Sequence, residues 1–357
     1  MFTRSLLPAV LLGVSALPTF ADAPRVVTDI APVQGLVARV MAGVGEPDVL
    51  VPPGASPHGY SLRPSDARAL SSSDAVFWIG DELEPWLADS LTELAAEATI
   101  VSLLDAPGTT RLDFREGVVF AQSDHGHDHD HGHDHDHGHD HEDDHDHEDG
   151  HDHDHAEDEH AHEDHGHDHD DHDHGDHGHD HSGHSHEGLD PHAWLAPQNG
   201  MQWLALIAEE LAKIDPANAE IYQSNALAGQ AEIDELVQSL GAELEQTDGQ
   251  FVVFHDAYQY FETSFGLKSL GAISLGDASD PSVARVAEIR DAILAADVSC
   301  VFSEPQFNPG LVRTVTEGAE VASVVIDPLG TKIEAGASFY TDLLADTGAR
   351  FVECLSN

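Results

Sequence analysis

Residues 124–187 form a tract that offers no folded core, so whatever this chain folds into must be assembled from the segments on either side of it. The tract holds 26 of the 29 histidines and 26 Asp or Glu, with no Lys or Arg. It has almost no apolar side chain to offset chain entropy, and its repeats are local His-Asp and His-Gly steps, so a disordered insertion is expected. About half of the formal charge of −53 belongs to it. The flanks are only moderately acidic, with the chain's 14 basic residues spread along them. That balance argues against nucleic-acid binding and for cations as partners.

At the start of the chain, Arg4 precedes an apolar run, and small residues follow, with Ala21 and Ala23 both placed for cleavage. Residues 1–23 are therefore expected to be a secretory signal peptide whose apolar run is too short to span a bilayer. No cysteine lies near the cut and no later segment is apolar enough to cross a membrane, so an exported, soluble protein without a membrane anchor is expected. Cys300 and Cys354 are the only cysteines. In an oxidising compartment a lone pair most simply forms one disulfide, here pinning a chain end that would otherwise fray, the alternative being two separate buried thiols.

Without leader and tract roughly 270 residues remain, which suits two lobes of ordinary size better than one core. Strand-like apolar runs fall at 26–30, 49–51, 75–79 and 99–103, with helical stretches such as 32–42 and 65–71 between them, the latter with Ser65 as a candidate cap. The scheme repeats, with strands at 251–254, 267–273, 298–302 and 322–326 and helices at 283–296 and 309–319. Two α/β lobes with parallel sheets follow. Between them, a helix at 197–214 ends at Asp215-Pro216. A second then starts with Asp215 as cap and runs to about Gln246, roughly 45 Å, long enough to act as a strut between lobes. The expected division is a first lobe over 24–214 containing the tract, a linking helix over 215–247 and a second lobe over 248–357.

Only His58, His192 and His255 lie outside the tract. Each falls near the end of a strand or where structure resumes after the tract, as do Glu304 and Asp327 at the ends of their strands. In open α/β sheets ligands bind beyond the carboxyl ends of strands, so these side chains can face one crevice. Singly, each has a bland reading as a loop histidine, a helix cap or a hydrogen-bond acceptor. Jointly, three imidazoles with a carboxylate or water completing four-coordination match Zn²⁺.

The motifs around them carry a resemblance. Gly54-Ala55-Ser56-Pro57-His58 with Tyr60-Ser61-Leu62-Arg63-Pro64-Ser65-Asp66, then Asp190-Pro191-His192-Ala193-Trp194-Leu195, Phe254-His255-Asp256-Ala257-Tyr258 and Asp327-Pro328-Leu329-Gly330 resemble, in order, the zinc-specific branch of the metal solute-binding proteins of ABC importers, the ZnuA-type periplasmic proteins of cluster A-I. The resemblance runs from about residue 25 to the end and includes the His-rich insertion and a cysteine pair in the second lobe. It implies two α/β lobes joined by a long helix with metal in the cleft between them, His58, His192 and His255 as zinc ligands, and Asp327 as the carboxylate that some members use as a fourth. Manganese-specific relatives place a carboxylate at the position of His255; imidazole there favours zinc, though copper and nickel use the same ligand type. Some zinc-specific members carry Glu immediately before the first histidine, where this chain has Pro57. That leaves Asp327, water or Glu304 for the fourth position.

The resemblance thus implies a monomeric periplasmic protein that captures zinc and delivers it to an ABC transporter membrane permease, with the tract as an accessory zinc-gathering or sensing element. Two other uses of the same residues compete with it. A zinc-dependent hydrolase would use an open metal position and Glu304 as base. Its His-Glu-x-x-His spellings, starting at His141 and His147, fall only in the tract, where no helix is expected to align both imidazoles. A zinc buffer or storage protein would make the tract the main site, and would leave the three dispersed histidines without a purpose.

Overall fold

Apolar runs of strand length alternate with amphipathic stretches on both flanks of the tract, and the chain folds as that alternation requires, into two separate parallel sheets. The computed structural model describes residues 23–115, 117, 119–120, 188–276 and 279–356. The tract and residues 1–22 of the expected leader lie outside them. Among the described residues no helix is long and apolar enough to cross a membrane.

The first sheet comprises β1 (Val26–Thr28), β2 (Asp48–Val49), β3 (Ala75–Trp78) and β4 (Thr99–Ser102), in the order β2-β1-β3-β4 with every pair parallel. The central strands β1 and β3 are buried along their length, as strands covered on both faces must be. Helices α1 (Ala31–Met41), α2 (Pro64–Ser71) and α3 (Pro85–Leu94) connect them. Each has a proline in its first turn, where the missing N–H would find no helical partner. In α2 this moves the start forward of the expected one. Pro64 takes the first position, Arg63 becomes the cap, and the Asp66 carboxylate accepts the Arg63 N–H at 2.8 Å, so Ser65 lies inside the helix.

After the tract come α4 (Pro197–Ile214) and α5 (Ala219–Leu244). The long helix begins later than expected. Pro216–Asn218 forms a single tight turn, and the Asp215 carboxylate accepts from the Asn218 amide (2.7 Å) and the Tyr222 hydroxyl (2.9 Å) instead of capping backbone N–H groups. The 26 residues of α5 span about 39 Å.

The second sheet comprises β5 (Gln250–His255), β6 (Gly271–Ser274), β7 (Val298–Ser303) and β8 (Ala322–Val325), again parallel, in the order β6-β5-β7-β8. Its helices are α6 (Gln259–Phe265), α7 (Val283–Ala295), α8 (Pro309–Val315) and α9 (Phe339–Leu355). Strand β6 starts later than the expected 267–273, because α6 ends on Gly266 in the left-handed region and residues 267–270 are used to turn back. Helix α8 stops at Val315, short of the expected 319, ahead of a turn at Gly318 with φ of +91°.

Helix α9 joins the second sheet to the helices of the first half. The Cys300–Cys354 disulfide fastens it to β7, with Cα atoms 5.6 Å apart. At its other end Phe339 and Tyr340 press on α1 and α4 where both lack a side chain. A Cβ on Gly35 would lie 2.9 Å from Phe339, and one on Gly200 would overlap the Tyr340 ring. The Tyr340 hydroxyl then donates to Trp194 O at 2.8 Å. Helix α5 packs along α4, α1 and α9 together.

Two carboxyl groups are buried within the first sheet's loops. Asp29 accepts the N–H groups of Ile30 and Ile79, both at 2.6 Å, while neither oxygen of the fully buried Glu84 meets a donor. Burial pushes Asp29 up to about 7, against those backbone hydrogen bonds, and burial with the Asp29 charge pushes Glu84 well above the carboxylate range. A proton on Glu84 is what can join the two. Both folded values exceed the unfolded ones of about 3.9 and 4.3, so stability is greatest below about pH 4 and falls as pH rises, the contribution of Asp29 being lost through about 7. Glu84→Gln keeps a donor at every pH. It should match the parent near pH 4 and become progressively more stable than it toward pH 8 in denaturant unfolding; a gap that does not widen with pH would contradict the shared proton. Replacing Cys300 and Cys354 together by Ala should cost about 3–4 kcal/mol, as expected for a loop closed over a sequence separation of 54, with unchanged stability as the contrary result.

Candidate metal centre

Each of the three histidines is positioned by a different local device. His58 sits in a one-turn helix, Pro57–Gly59, beyond β2, and the Trp86 indole N–H from the start of α3 donates to Pro57 O at 2.7 Å. His192 precedes the turn Ala193–Leu195 that leads into α4, and its ring is 5.2 Å from that of Trp194. His255 is the last residue of β5, at the carboxyl end of the sheet's second strand in order, with Phe307 5.4 Å from its ring. His192 and His255 are 1% and 3% exposed, and His58 is half-buried.

The rings converge through the same atom. His192 Nε2 lies 3.3 Å from His58 Nε2 and 3.3 Å from His255 Nε2, and the three ligand atoms fall within 4.8 Å of one another. Nitrogens set tetrahedrally around zinc at about 2.0–2.1 Å stand about 3.3–3.4 Å apart. Two of the rings are held at their other nitrogen by buried carboxylates. Asp190 Oδ1 lies 2.7 Å from His192 Nδ1, and Glu304 Oε1 lies 2.7 Å from His255 Nδ1. A carboxylate at Nδ1 takes the ring proton there and leaves the Nε2 lone pair aimed at the common centre. The cleft they share with Ser56, Pro57, Pro328 and Leu329 encloses about 20 Å³, the size of one water or ion.

Charge around the centre is uneven. Burial, together with the neighbouring His255, holds His192 well below its ordinary pKa, so that ring stays neutral and ready to act as a ligand. Burial opposes charge on His255 too, but the Glu304 carboxylate outweighs it, helped by Asp256 and Asp190, and raises this ring above its ordinary value. Protons therefore compete with metal chiefly at His255. Burial pushes Asp190 up to about 7, against the His192 N–H and the Arg115 charge.

The structure thus gathers His58, His192 and His255 and sets Glu304 directly behind one of them. Asp327 is not among the groups whose ligand atoms fall within 4.8 Å of one another. Asp327 Oδ1 accepts from Gln306 Nε2 (2.9 Å) and Leu329 N (3.1 Å), and Oδ2 accepts from the N–H of Thr331 (2.8 Å) and its hydroxyl (2.5 Å). With both oxygens engaged, Asp327 shapes the loop that carries Pro328 and Leu329 to the cleft wall. The Asp190 carboxylate was not singled out from sequence, although its position two residues before His192 in an Asp-Pro-His motif is a usable signal.

Two parallel-sheet α/β lobes and an ion-sized cleft walled by three imidazoles describe a solute-binding protein for a metal ion. Comparison with known proteins agrees. The family profile described as Zinc-uptake complex component A, periplasmic, or ZnuA, matches residues 26–354, and the chain belongs to this family. It is 46% identical over 353 residues to the high-affinity zinc uptake system protein ZnuA of Paracoccus denitrificans, covering 98% of each chain. To the protein of the same name from Brucella suis it is 43% identical, covering 93% of this chain and 91% of the relative. Among solved structures, a zinc-bound ZnuA deletion mutant shares the fold at a TM-score of 0.67 and 21% identity, covering 94% of this chain and 99% of that one. The periplasmic zinc binding protein TroA of Treponema pallidum does so at 0.67 and 18%, covering 93% and 99%.

Asp190→Asn and Glu304→Gln should each weaken Zn²⁺ binding 10–100-fold, as loss of a carboxylate behind a ligating histidine generally does. Chelator competition measures this, and affinities within twofold of the parent would show that the carboxylates do not govern the rings.

Proposed function

We propose that this chain captures one zinc ion in the cleft through Nε2 of His58, His192 and His255 and delivers it to the membrane permease of an ABC importer in the periplasm. The observation that carries the reading is the convergence of three Nε2 atoms with two 3.3 Å separations, two of the rings being fixed from behind by buried carboxylates. Zinc rather than another ion is supported by the all-imidazole donor set and by the names of the relatives, which are high-affinity zinc uptake proteins. With Asp327 held by four donors, water completes the coordination.

A hydrolytic use of the same centre has little support. The base it would need is Glu304, whose Oε1 is engaged with His255 Nδ1 and whose Oε2 is buried. The relatives are components of uptake systems, which bind their solute and release it unchanged.

Within this reading, the 26 histidines of the tract gather zinc weakly near the cleft and raise its local concentration. Delivery needs one ligand to leave the metal. His58, half-buried on a short one-turn helix, is the ligand placed to do so.

Competitive zinc titration of protein lacking residues 124–187, beside the intact chain, tests this division of labour. One tight site should survive the deletion, and His255→Ala should weaken it at least 100-fold, while loss of tight binding on deletion would make the tract the principal site.

A further inference from the structure

The described residues that lead into the tract do not stay with the first sheet; they lie along the second lobe as a strap. Leu112 N–H donates to the Tyr260 hydroxyl (2.9 Å), which donates in turn to Asp190 O (2.8 Å), while Asp190 N–H donates to Leu112 O (2.8 Å). Phe114 N–H donates to Gly188 O at 3.0 Å, and its ring covers Gly276, where a Cβ would overlap it. Arg285 reaches Gly117 O at 3.4 Å. Val119 then pairs antiparallel with Gly271 on the edge strand β6, and Phe120 N–H donates to Leu270 O at 2.8 Å.

Arg115 is the charge in the middle of this strap. Its Nε donates to both oxygens of Asp256 (3.0 and 3.1 Å), and Nη2 meets Asp256 Oδ1 as well. Nη1 donates to Glu262 Oε2 (2.7 Å) and Ser269 Oγ (3.1 Å), Nη2 to Glu262 Oε1 (3.1 Å), and the guanidinium lies 4.2 Å from the Phe120 ring centre. Both carboxylates are only 2% exposed, and Arg115 is hydrogen-bonded to each of them. A planar fork with five N–H donors can meet two carboxylates bidentately and a hydroxyl besides, whereas an ammonium has only three donors.

The strap bridges two halves of the zinc site that reach it from separate stretches of chain. On one side it holds the main chain of Asp190, whose carboxylate orients His192; on the other it holds Asp256, the residue after His255. The 3.3 Å spacing of the His192 and His255 nitrogens therefore depends on the series Asp190, Leu112, Arg115, Asp256 keeping its register.

We propose that Arg115 is a positioning residue of the zinc site, which clamps the strap formed by the described residues between Leu112 and Phe120 across the second lobe and so fixes His192 against His255. This rests on the zinc-site reading above.

The test uses the full chain with Arg115→Lys and Arg115→Met, measuring the first equivalent of Zn²⁺ by chelator competition, the visible spectrum of Co²⁺ in the same site, and hydrogen exchange of the strap. Arg115→Lys should fold, bind zinc about tenfold more weakly, shift the Co²⁺ bands that report ligand geometry, and lose protection at the strap amides while α5 keeps its own. Arg115→Met should do the same to a greater degree; should it fail to fold, the Lys variant decides. Zinc affinity within twofold and an unchanged Co²⁺ spectrum in Arg115→Lys would overturn the proposal even if the strap opens. His255→Ala is the parallel control: if it leaves the first equivalent of zinc equally tight, the zinc-site reading itself fails, which is a different outcome from an indifferent Arg115.

Discussion

The hydrogen bonds that His192 donates to Asp190 and His255 donates to Glu304 set the chemistry of this protein, because a histidine ligand is useful only when its proton is parked on the nitrogen that faces away from the metal. Both pairs are buried, and each joins residues whose spacing the fold must hold to a few tenths of an ångström. Asp190 and His192 are two residues apart, so the local turn is enough. His255 ends β5 and Glu304 directly follows the adjacent β7, and the parallel register of the sheet brings them level. A site of this kind needs a sheet edge rather than a flexible loop beneath it.

The rest of the architecture can be understood as keeping those edges in place. Helix α9 is fastened to β7 by the disulfide and packed against α1 and α4 through Phe339 and Tyr340, so the second sheet is tied to the helices of the first half. Helix α5 runs beside all three. The strap carrying Arg115 adds a further tie on the side where the tract departs. His58 is held differently, on a short turn fixed by the Trp86 indole to its neighbour Pro57. Two ligands are thus built into the scaffold and one is delivered by a loop, which suits a protein that must hold an ion and also give it up.

Much of this was legible in the sequence for a specific reason. With the tract set aside, only three histidines remain, and each follows an apolar run or a return to structure, so strand-end placement could be read without knowing the fold. Asp327 was less legible by the same logic. It ends a strand in the same way, but whether a carboxylate turns to metal or to its own loop depends on donors such as Gln306, Leu329 and Thr331, whose directions no spacing rule gives. Arg115 was unreadable for the opposite reason: its partners Asp256 and Glu262 lie 141 and 147 residues away across the tract. Helix limits slipped where local chemistry intervened, at Pro64, Pro216 and Gly318.

Zinc-edge X-ray absorption on the protein loaded with one equivalent of zinc tests the central claim most directly. The account predicts three imidazole nitrogens and one further light donor at about 2.0–2.1 Å, with the outer-shell scattering of three rings. A shell dominated by carboxylate oxygen, or one with fewer than three imidazoles, would mean that the first zinc does not go to His58, His192 and His255.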